Sequence, residues 1–297
     1  MSADVTDEPV RYREPEPATV DADGVRRWTG LTYAMRDGYR PVLLDVRMPA
    51  RPAGAGPAPA VVWVHGGGWL NGDRRYLPPT IEPDVLAQSL LPRGIGYVAV
   101  DYRHSLEAPF PACLHDVKAA VRYVRTFADV FGIDPGRLGA LGESAGGHLV
   151  SLLATTAGHP ELDGVEGVGR GDTGLAAVVD WYGVHDFAAL VGPTAGQPNP
   201  VIDALFGGPL AQRTELARLA GAVTHVQAGA APMLLVHGTA DATVPFDQSE
   251  RLLQAGRAAG MDIELRPVPG ADHCFEGYDD IPTVVAGSID WLIDRLG

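Results

Sequence analysis

The sequence predicts an α/β fold with a mostly parallel central sheet, and two features support this prediction. Compact apolar runs recur along the 297-residue chain, and the clearest of them, at residues 60–64 and 96–100, have the composition of strands buried on both faces. Helical patterns lie between these runs. Because strands that alternate with helices form a parallel sheet covered on both sides, we expect about eight strands with helices on either face.

The predicted elements follow one another in a regular order. Strands are expected at residues 31–35, 42–46, 60–64, 96–100, 138–141, 175–181, 233–236 and 263–268. Helices are expected at 82–92 and 112–129, after the strand at 138–141 and ending near residue 156, at 247–259, and near the C-terminus. The helix over 112–129 has the clearest pattern, since its apolar residues share one face: Leu114, Val117, Val121, Val124 and Phe127. Asp247 is expected to cap the helix at 247–259.

The chain is expected to form a single domain over residues 26–297, preceded by a flexible, acidic N-terminal arm over residues 1–25. Residues 184–231 interrupt the alternation of strands and helices. An excursion of this length in a compact domain is often a binding loop or a lid. We therefore expect a lid-like segment there.

Charge and cysteine content exclude several classes of protein. The chain has 23 Lys and Arg against 37 Asp and Glu, a net charge of −14, so we expect no binding to nucleic acid or to anionic membranes. The N-terminus has no apolar signal region, and no stretch approaches 18 unbroken apolar residues. The two cysteines, Cys113 and Cys274, are far apart in sequence, which is typical of a reducing compartment. We expect a cytoplasmic protein.

A glycine-rich turn presents the first candidate catalytic residue. Residues 142–146 read Gly-Glu-Ser-Ala-Gly, directly after a predicted strand and at the start of a predicted helix. This is the context of a nucleophile elbow, in which a sharp turn lifts a serine hydroxyl clear of the sheet and only small neighbours fit. The alternative is that Ser144 simply caps the helix.

A second glycine-rich turn follows the strand at 60–64. Residues 65–69 read His-Gly-Gly-Gly-Trp, the pattern of a loop whose backbone amides point into a cavity. We expect the amides of Gly67, Gly68 and Ala145 to form an oxyanion hole, each donor contributing about 3–4 kcal/mol to stabilisation of the transition state.

The acid and the base are expected after two later strands. Asp241 follows the strand at 233–236, and His273 follows the strand at 263–268, so both would emerge at the same sheet edge as Ser144. The order serine, acid, histidine is the one that a nucleophile elbow requires. His273 would accept the serine proton, and Asp241 would orient the imidazole. Three weaker candidates for the acid remain: Asp272, Asp180 and Asp186.

Together these motifs resemble the bacterial esterase/lipase group of the α/β-hydrolase superfamily. They are similar to hormone-sensitive-lipase-like carboxylesterases and closest to the acetyl-xylan/feruloyl-esterase-like branch. The motifs that carry the resemblance are HGGGW (65–69), DYRHS (101–105), PFPACLHD (109–116), GESAGGH (142–148), HGTADATVP (237–245) and GADHCF (270–275).

The resemblance extends from residue 40 to the C-terminus and implies an α/β-hydrolase fold and a cofactor-independent serine hydrolase. It implies the roles already suggested by the motifs: nucleophile Ser144, acid Asp241, base His273, and oxyanion donors Gly67, Gly68 and Ala145. Glu143 matches a family position, which we interpret as structural. His104 departs from the leucine common in such sequences, and the N-terminal arm is too short for a large helical cap.

Several roles remain open from sequence alone. His65 is expected to anchor the glycine-rich loop by hydrogen bonds. Trp69 either contacts the substrate or packs in the core. Cys274 either lines the site or is a buried bystander. Residues 169–174 match a dinucleotide-binding pattern, but they precede a strand instead of following one, so we expect a surface loop.

The leading hypothesis is therefore a carboxylesterase that cleaves small-molecule esters of short to medium acyl chains. An arylformamidase-type amidase and a non-catalytic binding protein on the same scaffold are the alternatives. No spacing suggests a metal site. The oligomeric state stays open, with a homodimer as one option.

Overall fold

The computed structural model describes residues 11–52, 54–190 and 199–297. Its strands are β1 (Thr19–Val20), β2 (Arg26–Ala34), β3 (Val42–Met48), β4 (Ala58–Val64), β5 (Gly96–Val100), β6 (Ile133–Glu143), β7 (Ala177–Trp181), β8 (Met233–Gly238) and β9 (Ile263–Val268). Its α-helices are α1 (Val85–Leu90), α2 (Ala112–Thr126), α3 (Ala128–Phe131), α4 (Ala145–Thr155), α5 (Pro200–Leu205), α6 (Thr214–Ala220), α7 (Asp247–Ala258) and α8 (Ile281–Leu296).

The strands form one sheet in the order β1-β2-β3-β5-β4-β6-β7-β8-β9. The pairs within β1, β2, β3 and β5 are antiparallel, whereas all pairs from β5 to β9 are parallel. The predicted fold class is confirmed. The ninth strand, β1, has two residues and lies at the sheet edge.

Alternating residues of β4 show how the sheet is covered on both faces. Val62 and Val64 pack in the core beneath α2 and α4, while Val61 and Trp63 pack beneath α1 and α8. All seven residues of β4 are buried. The continuous apolar run at 60–64 therefore indicates a doubly covered strand, as the sequence predicts.

One local prediction is wrong. Asp247 does not cap α7, because the helix begins at Asp247 itself and the capping position belongs to Phe246, which makes no side-chain cap. The Asp247 carboxylate instead accepts a hydrogen bond from Arg251 Nε at 3.0 Å, one helical turn on.

Residues 11–25 of the predicted N-terminal arm include residues that contact the domain. The ring of Tyr12 packs against Tyr123 and Phe127 at centroid distances of 6.2 and 5.9 Å. Tyr123 donates a hydrogen bond to the Arg13 carbonyl at 2.7 Å, and Trp28 donates one to the Glu16 carbonyl at 2.8 Å. The sequence misses these aromatic contacts because they join distant segments. Residues 1–10 of the predicted arm lie outside the described residues.

The predicted lid-like excursion is described at 184–190 and 199–231, and its remaining residues lie outside the described ones. Its described part carries α5 and α6. The end of α5 is fixed to the domain, since Phe110 donates its amide to the Leu205 carbonyl at 2.7 Å. Across the described part of the chain, no helix is both long and apolar enough to cross a bilayer.

Candidate active site

Ser144 occupies a strained turn between β6 and α4. Its φ of 51° and ψ of −116° fall in a region that residues with a side chain rarely adopt. The turn is held on both sides: the Ser144 amide donates to the Trp181 carbonyl at 2.8 Å, and the His148 amide donates to the Ser144 carbonyl at 3.0 Å. The Ser144 side chain caps no helix amide, so the capping alternative is wrong.

The glycines of this turn are required by close backbone approach. A Cβ at Gly142 would lie 2.4 Å from the Gly146 carbonyl oxygen, and one at Gly146 would lie 2.0 Å from the Val64 carbonyl oxygen. The start of α4 therefore packs directly on the strand ends of β4 and β6, which brings the serine to the sheet edge.

Gly146→Ala is expected to lower the free energy of unfolding by about 3 kcal/mol, because the new methyl group collides with backbone that cannot rotate away. Urea denaturation measures the change. Gly229→Ala is the matched control, since no heavy atom lies within 4 Å of the position that its Cβ would take. Equal stability of the two variants would contradict the packing described here.

Ser144, His273 and Asp241 form a continuous hydrogen-bonded chain. His273 Nε2 lies 3.0 Å from Ser144 Oγ, and His273 Nδ1 lies 2.8 Å from Asp241 Oδ2. The three residues come from the ends of β6, β8 and β9, so the structure brings together the side chains that the sequence pairs. Donation from Nδ1 to the carboxylate leaves Nε2 free to accept the serine proton.

The surroundings of Asp241 stabilise its ionised form. Its Oδ1 accepts hydrogen bonds from the Thr243 and Val244 amides at 2.9 and 2.7 Å, and its Oδ2 also lies 3.3 Å from His237 Nε2. Burial opposes ionisation, but the hydrogen bonds from His237, His273 and the Val244 amide outweigh it and hold the pKa of Asp241 well below its usual range.

Among the described contacts, the other candidate acids make no hydrogen bond to the imidazole of His273. Asp272 Oδ1 accepts the amides of Ala242 and His273 at 2.8 and 2.7 Å and so supports the loop. Asp180 is buried beside Ser151, whose hydroxyl donates to it at 2.5 Å, and burial raises the pKa of Asp180 to about 6. Asp186 accepts the Ala189 amide at 3.1 Å.

The HGGGW loop offers unused backbone donors. Gly67 and Gly68 adopt φ values of 91° and 60°, and among the residues described the amides of Gly67, Gly68 and Ala145 donate to no protein acceptor. Val201 of α5 covers part of this loop, because a Cβ at Gly68 would lie 3.1 Å from Val201 Cγ1. The space above the loop is thus bounded by the excursion.

A strained serine, a hydrogen-bonded histidine and carboxylate, and free amides together have the geometry for acyl transfer. The family comparison agrees: a model of the BD-FAE family matches residues 44–255. The chain belongs to the BD-FAE family. This assignment confirms the resemblance to bacterial esterases that the motifs predict.

Relatives of this BD-FAE chain are esterases. It is 30% identical over 223 residues to the probable carboxylic ester hydrolase LipM of Mycobacterium tuberculosis, an alignment that covers 74% of the chain and 50% of LipM. The chain therefore spans about half the length of this curated relative.

Two solved structures extend the likeness over nearly the whole chain. A truncated carbohydrate esterase from gut microbiota superimposes with a TM-score of 0.78 and 26% identity, covering 96% of this chain and 99% of the other. The butyrate-bound esterase Est2 of Thermogutta terrifontis superimposes with a TM-score of 0.69 and 27% identity, covering 89% and 93%. The BD-FAE chain has the α/β-hydrolase fold.

His65 of this BD-FAE protein is structural, as expected from sequence. Its buried ring stacks on Tyr102 at a centroid distance of 4.4 Å, and its Nδ1 lies 2.9 Å from the Gly66 carbonyl oxygen. Tyr102 also donates to the His65 and Gly66 carbonyls, both at 3.0 Å. Burial lowers the pKa of His65 to about 4, so the ring is neutral.

Trp69 packs in the core with an exposed fraction of 3%. Its indole Nε1 donates to His148 Nδ1 at 3.2 Å, so the proton of neutral His148 is on Nε2, which donates to the Ala220 carbonyl at 2.9 Å. Trp69 thus joins the HGGGW loop to α4 and to the excursion. Its predicted contact with substrate stays a prediction.

The sequence analysis misses Tyr182. Its ring contacts His273 with a centroid distance of 4.8 Å, and its φ is 45°. Tyr182 directly follows β7, at the same sheet edge where Ser144 follows β6. This position is the signal that could have identified it from the sequence.

Cys274 and residues 169–174 are the remaining features that the sequence singles out. Burial raises the pKa of Cys274 to about 12, so its thiol stays protonated beside His273. Residues 169–174 form a loop held by Arg125, which donates to the Asp172 and Gly174 carbonyls at 3.0 and 2.6 Å. Over the described ranges, no group of three or more His, Cys, Asp or Glu residues could hold a metal ion.

Proposed function

We propose that this protein is a serine hydrolase that cleaves small-molecule carboxylic esters through an acyl-enzyme intermediate. The observation that carries the proposal is the hydrogen-bonded chain from Ser144 Oγ through His273 to Asp241 Oδ2. A serine hydroxyl with no adjacent base is a weak nucleophile, whereas this arrangement activates the Ser144 hydroxyl for attack on an ester carbonyl.

In the proposed mechanism, Ser144 Oγ attacks the ester carbonyl carbon while His273 Nε2 takes its proton. The oxyanion that develops accepts hydrogen bonds from Gly67, Gly68 and Ala145, whose amides donate to no other acceptor among the described residues. His273 then protonates the leaving alcohol. Water, deprotonated by His273, then attacks the acyl carbon. The bond between the acyl carbon and Ser144 Oγ breaks, the carboxylic acid leaves, and His273 returns the proton to Ser144 Oγ.

The related proteins support this choice of chemistry. LipM is described as a probable carboxylic ester hydrolase, and the Est2 structure holds butyrate. Because the same scaffold supports amide and ester hydrolysis, an arylformamidase activity is an outcome that the test must separate.

We further propose that residues 184–231 act as a lid that limits the acyl chain to short or medium length. Val201 supports this, since its Cγ1 would lie 3.1 Å from a Cβ at Gly68 of the HGGGW loop and its side chain is 37% exposed. The cytoplasm is the proposed compartment, because Cys113 and Cys274 are both unpaired.

The test is hydrolysis of p-nitrophenyl acetate, butyrate, octanoate and laurate, followed by an aryl formamide. We expect turnover of the two short esters and a steep fall toward laurate, because the proposed lid would restrict the space for a long acyl chain. Turnover of the formamide alone would replace the esterase proposal with the amidase. A folded protein that cleaves none of these compounds would contradict both.

A further inference from the structure

The turn that follows β7 contacts both the candidate nucleophile and the candidate base. The carbonyl oxygen of Trp181, the last residue of β7, accepts the Ser144 amide at 2.8 Å. The next residue, Tyr182, packs its ring against the His273 imidazole, with a centroid distance of 4.8 Å and an interplanar angle of 64°. Two successive residues of one turn therefore connect Ser144 to His273.

Tyr182 adopts a backbone conformation that is unfavourable for a residue with a side chain, since its φ is 45°. The turn is fixed on both sides of this residue. The Tyr182 amide donates to the Val236 carbonyl at 3.0 Å, and the Gly183 amide donates to Asp180 Oδ1 at 2.9 Å. Glycine would adopt this conformation at lower cost, so an aromatic residue at this position calls for a role of its side chain.

The ring of Tyr182 is held firmly at both ends of the short turn that carries His273. Its exposed fraction is 0%, and besides His273 it packs on Phe275 at a centroid distance of 4.8 Å. Phe275 is also fully buried and packs on Trp181 at 5.7 Å. Because its neighbours fix the Tyr182 ring, this ring can restrain the imidazole that it contacts.

The hydrogen bonds that hold His273 differ between the two halves of the proposed reaction. In the resting protein, Nδ1 lies 2.8 Å from Asp241 Oδ2 and Nε2 lies 3.0 Å from Ser144 Oγ. Once Ser144 carries an acyl group, its Oγ is an ester oxygen that has no proton to donate to Nε2. The bond to Asp241 then holds the ring through Nδ1 alone, and other rotamers become accessible unless packing prevents them.

We propose that Tyr182 is a positioning residue that keeps the His273 imidazole in place while Ser144 carries the acyl group. This inference rests on the proposed function. The contact between the two rings does not involve Ser144 Oγ, so acylation leaves it intact. His273 therefore stays oriented to deprotonate the water that attacks the acyl carbon.

The test separates the two halves of the reaction with p-nitrophenyl acetate. The initial burst of p-nitrophenol measures acylation, the steady state measures turnover, and mass spectrometry of the quenched protein measures the fraction that carries an acetyl group. In Tyr182→Leu we expect deacylation to slow by about 100-fold, the cost of a small misplacement of a catalytic group, and acylation to slow much less. Acetyl-enzyme should then accumulate.

Two further variants serve as controls. Tyr182→Phe keeps the ring and should restore the wild-type ratio of the two rates. Tyr123→Leu makes the same substitution as Tyr182→Leu at an equally buried tyrosine, which packs on Tyr12 and Phe127. It should lower the free energy of unfolding and leave the ratio unchanged. If Tyr182→Leu does not fold, Phe275→Leu removes the support behind the Tyr182 ring and should also slow deacylation more than acylation.

Three outcomes would overturn the proposal. In the first, Tyr182→Leu slows both steps equally or neither. In the second, Tyr182→Phe is as slow in deacylation as Tyr182→Leu, which would assign the effect to the hydroxyl group, through its interaction with Glu143 and Cys274. In the third, the wild type shows no burst, no acetyl-enzyme and no turnover, and the proposed function then fails as well. A wild type that turns over the ester with an unchanged ratio in Tyr182→Leu removes this inference alone.

Discussion

Ser144→Ala is expected to reduce kcat for p-nitrophenyl acetate by about 10⁶, the scale of loss when the nucleophile of a serine hydrolase is removed. The reason is that His273 Nε2, 3.0 Å from the hydroxyl, would have no nucleophile to deprotonate. The measurement is kcat at saturating substrate. Incubation with an organophosphate should add a phosphoryl mass to the wild type and none to the variant.

The matched control is Ser151→Ala. Ser151 lies on the same helix, α4, but its hydroxyl donates to Asp180 Oδ2 at 2.5 Å and is far from His273 in the hydrogen-bond network. Its loss should cost about 1–3 kcal/mol of stability and leave most of the activity. Substantial turnover by Ser144→Ala would show that another residue is the nucleophile.

Asp241→Asn is expected to lower kcat by about 10⁴, because the amide would hold the wrong tautomer of His273. The asparagine oxygen can still accept the Thr243 and Val244 amides, which directs its NH₂ group toward His273 Nδ1. The ring would then carry its proton on Nε2, and it could not accept the proton of Ser144. The measurement is kcat for hydrolysis of p-nitrophenyl acetate.

Asp272→Asn is the control for this variant. Asp272 adjoins His273 in sequence, but its Oδ1 accepts only backbone amides, from Ala242 and His273. An asparagine oxygen can accept the same bonds, so the activity should stay within about tenfold of the wild type. A reversed outcome, with Asp272→Asn the weaker enzyme, would reassign the acid.

The meeting of the three candidate catalytic residues could be predicted because they occupy positions that topology fixes. Ser144, Asp241 and His273 each follow a strand of the parallel part of the sheet, and parallel strands end at one edge. An order of motifs along the chain is therefore enough to infer that they meet. The glycines at 142 and 146 are equally predictable, because close backbone approach leaves no alternative residue.

Other features depend on contacts that no local pattern encodes. β6 begins at Ile133, five residues before the predicted start. The sequence does not reveal this first half, because Pro135 and Gly136 are residues that are depleted in strands. The placement of Tyr182 against His273 requires a left-handed backbone at a residue with a large side chain.

The hydrogen-bonded path from Trp69 through His148 to Ala220 indicates which parts of the chain must keep their sequence and which can change. It attaches the C-terminal end of α6 to the helix that follows Ser144, and the Leu205 carbonyl attaches the end of α5 to Phe110. The excursion is thus fastened at defined points, and residues 211–215 between them are exposed. Surface loops on a rigid scaffold tolerate sequence change, so we expect substitutions in this exposed stretch to leave the geometry of the candidate site unchanged.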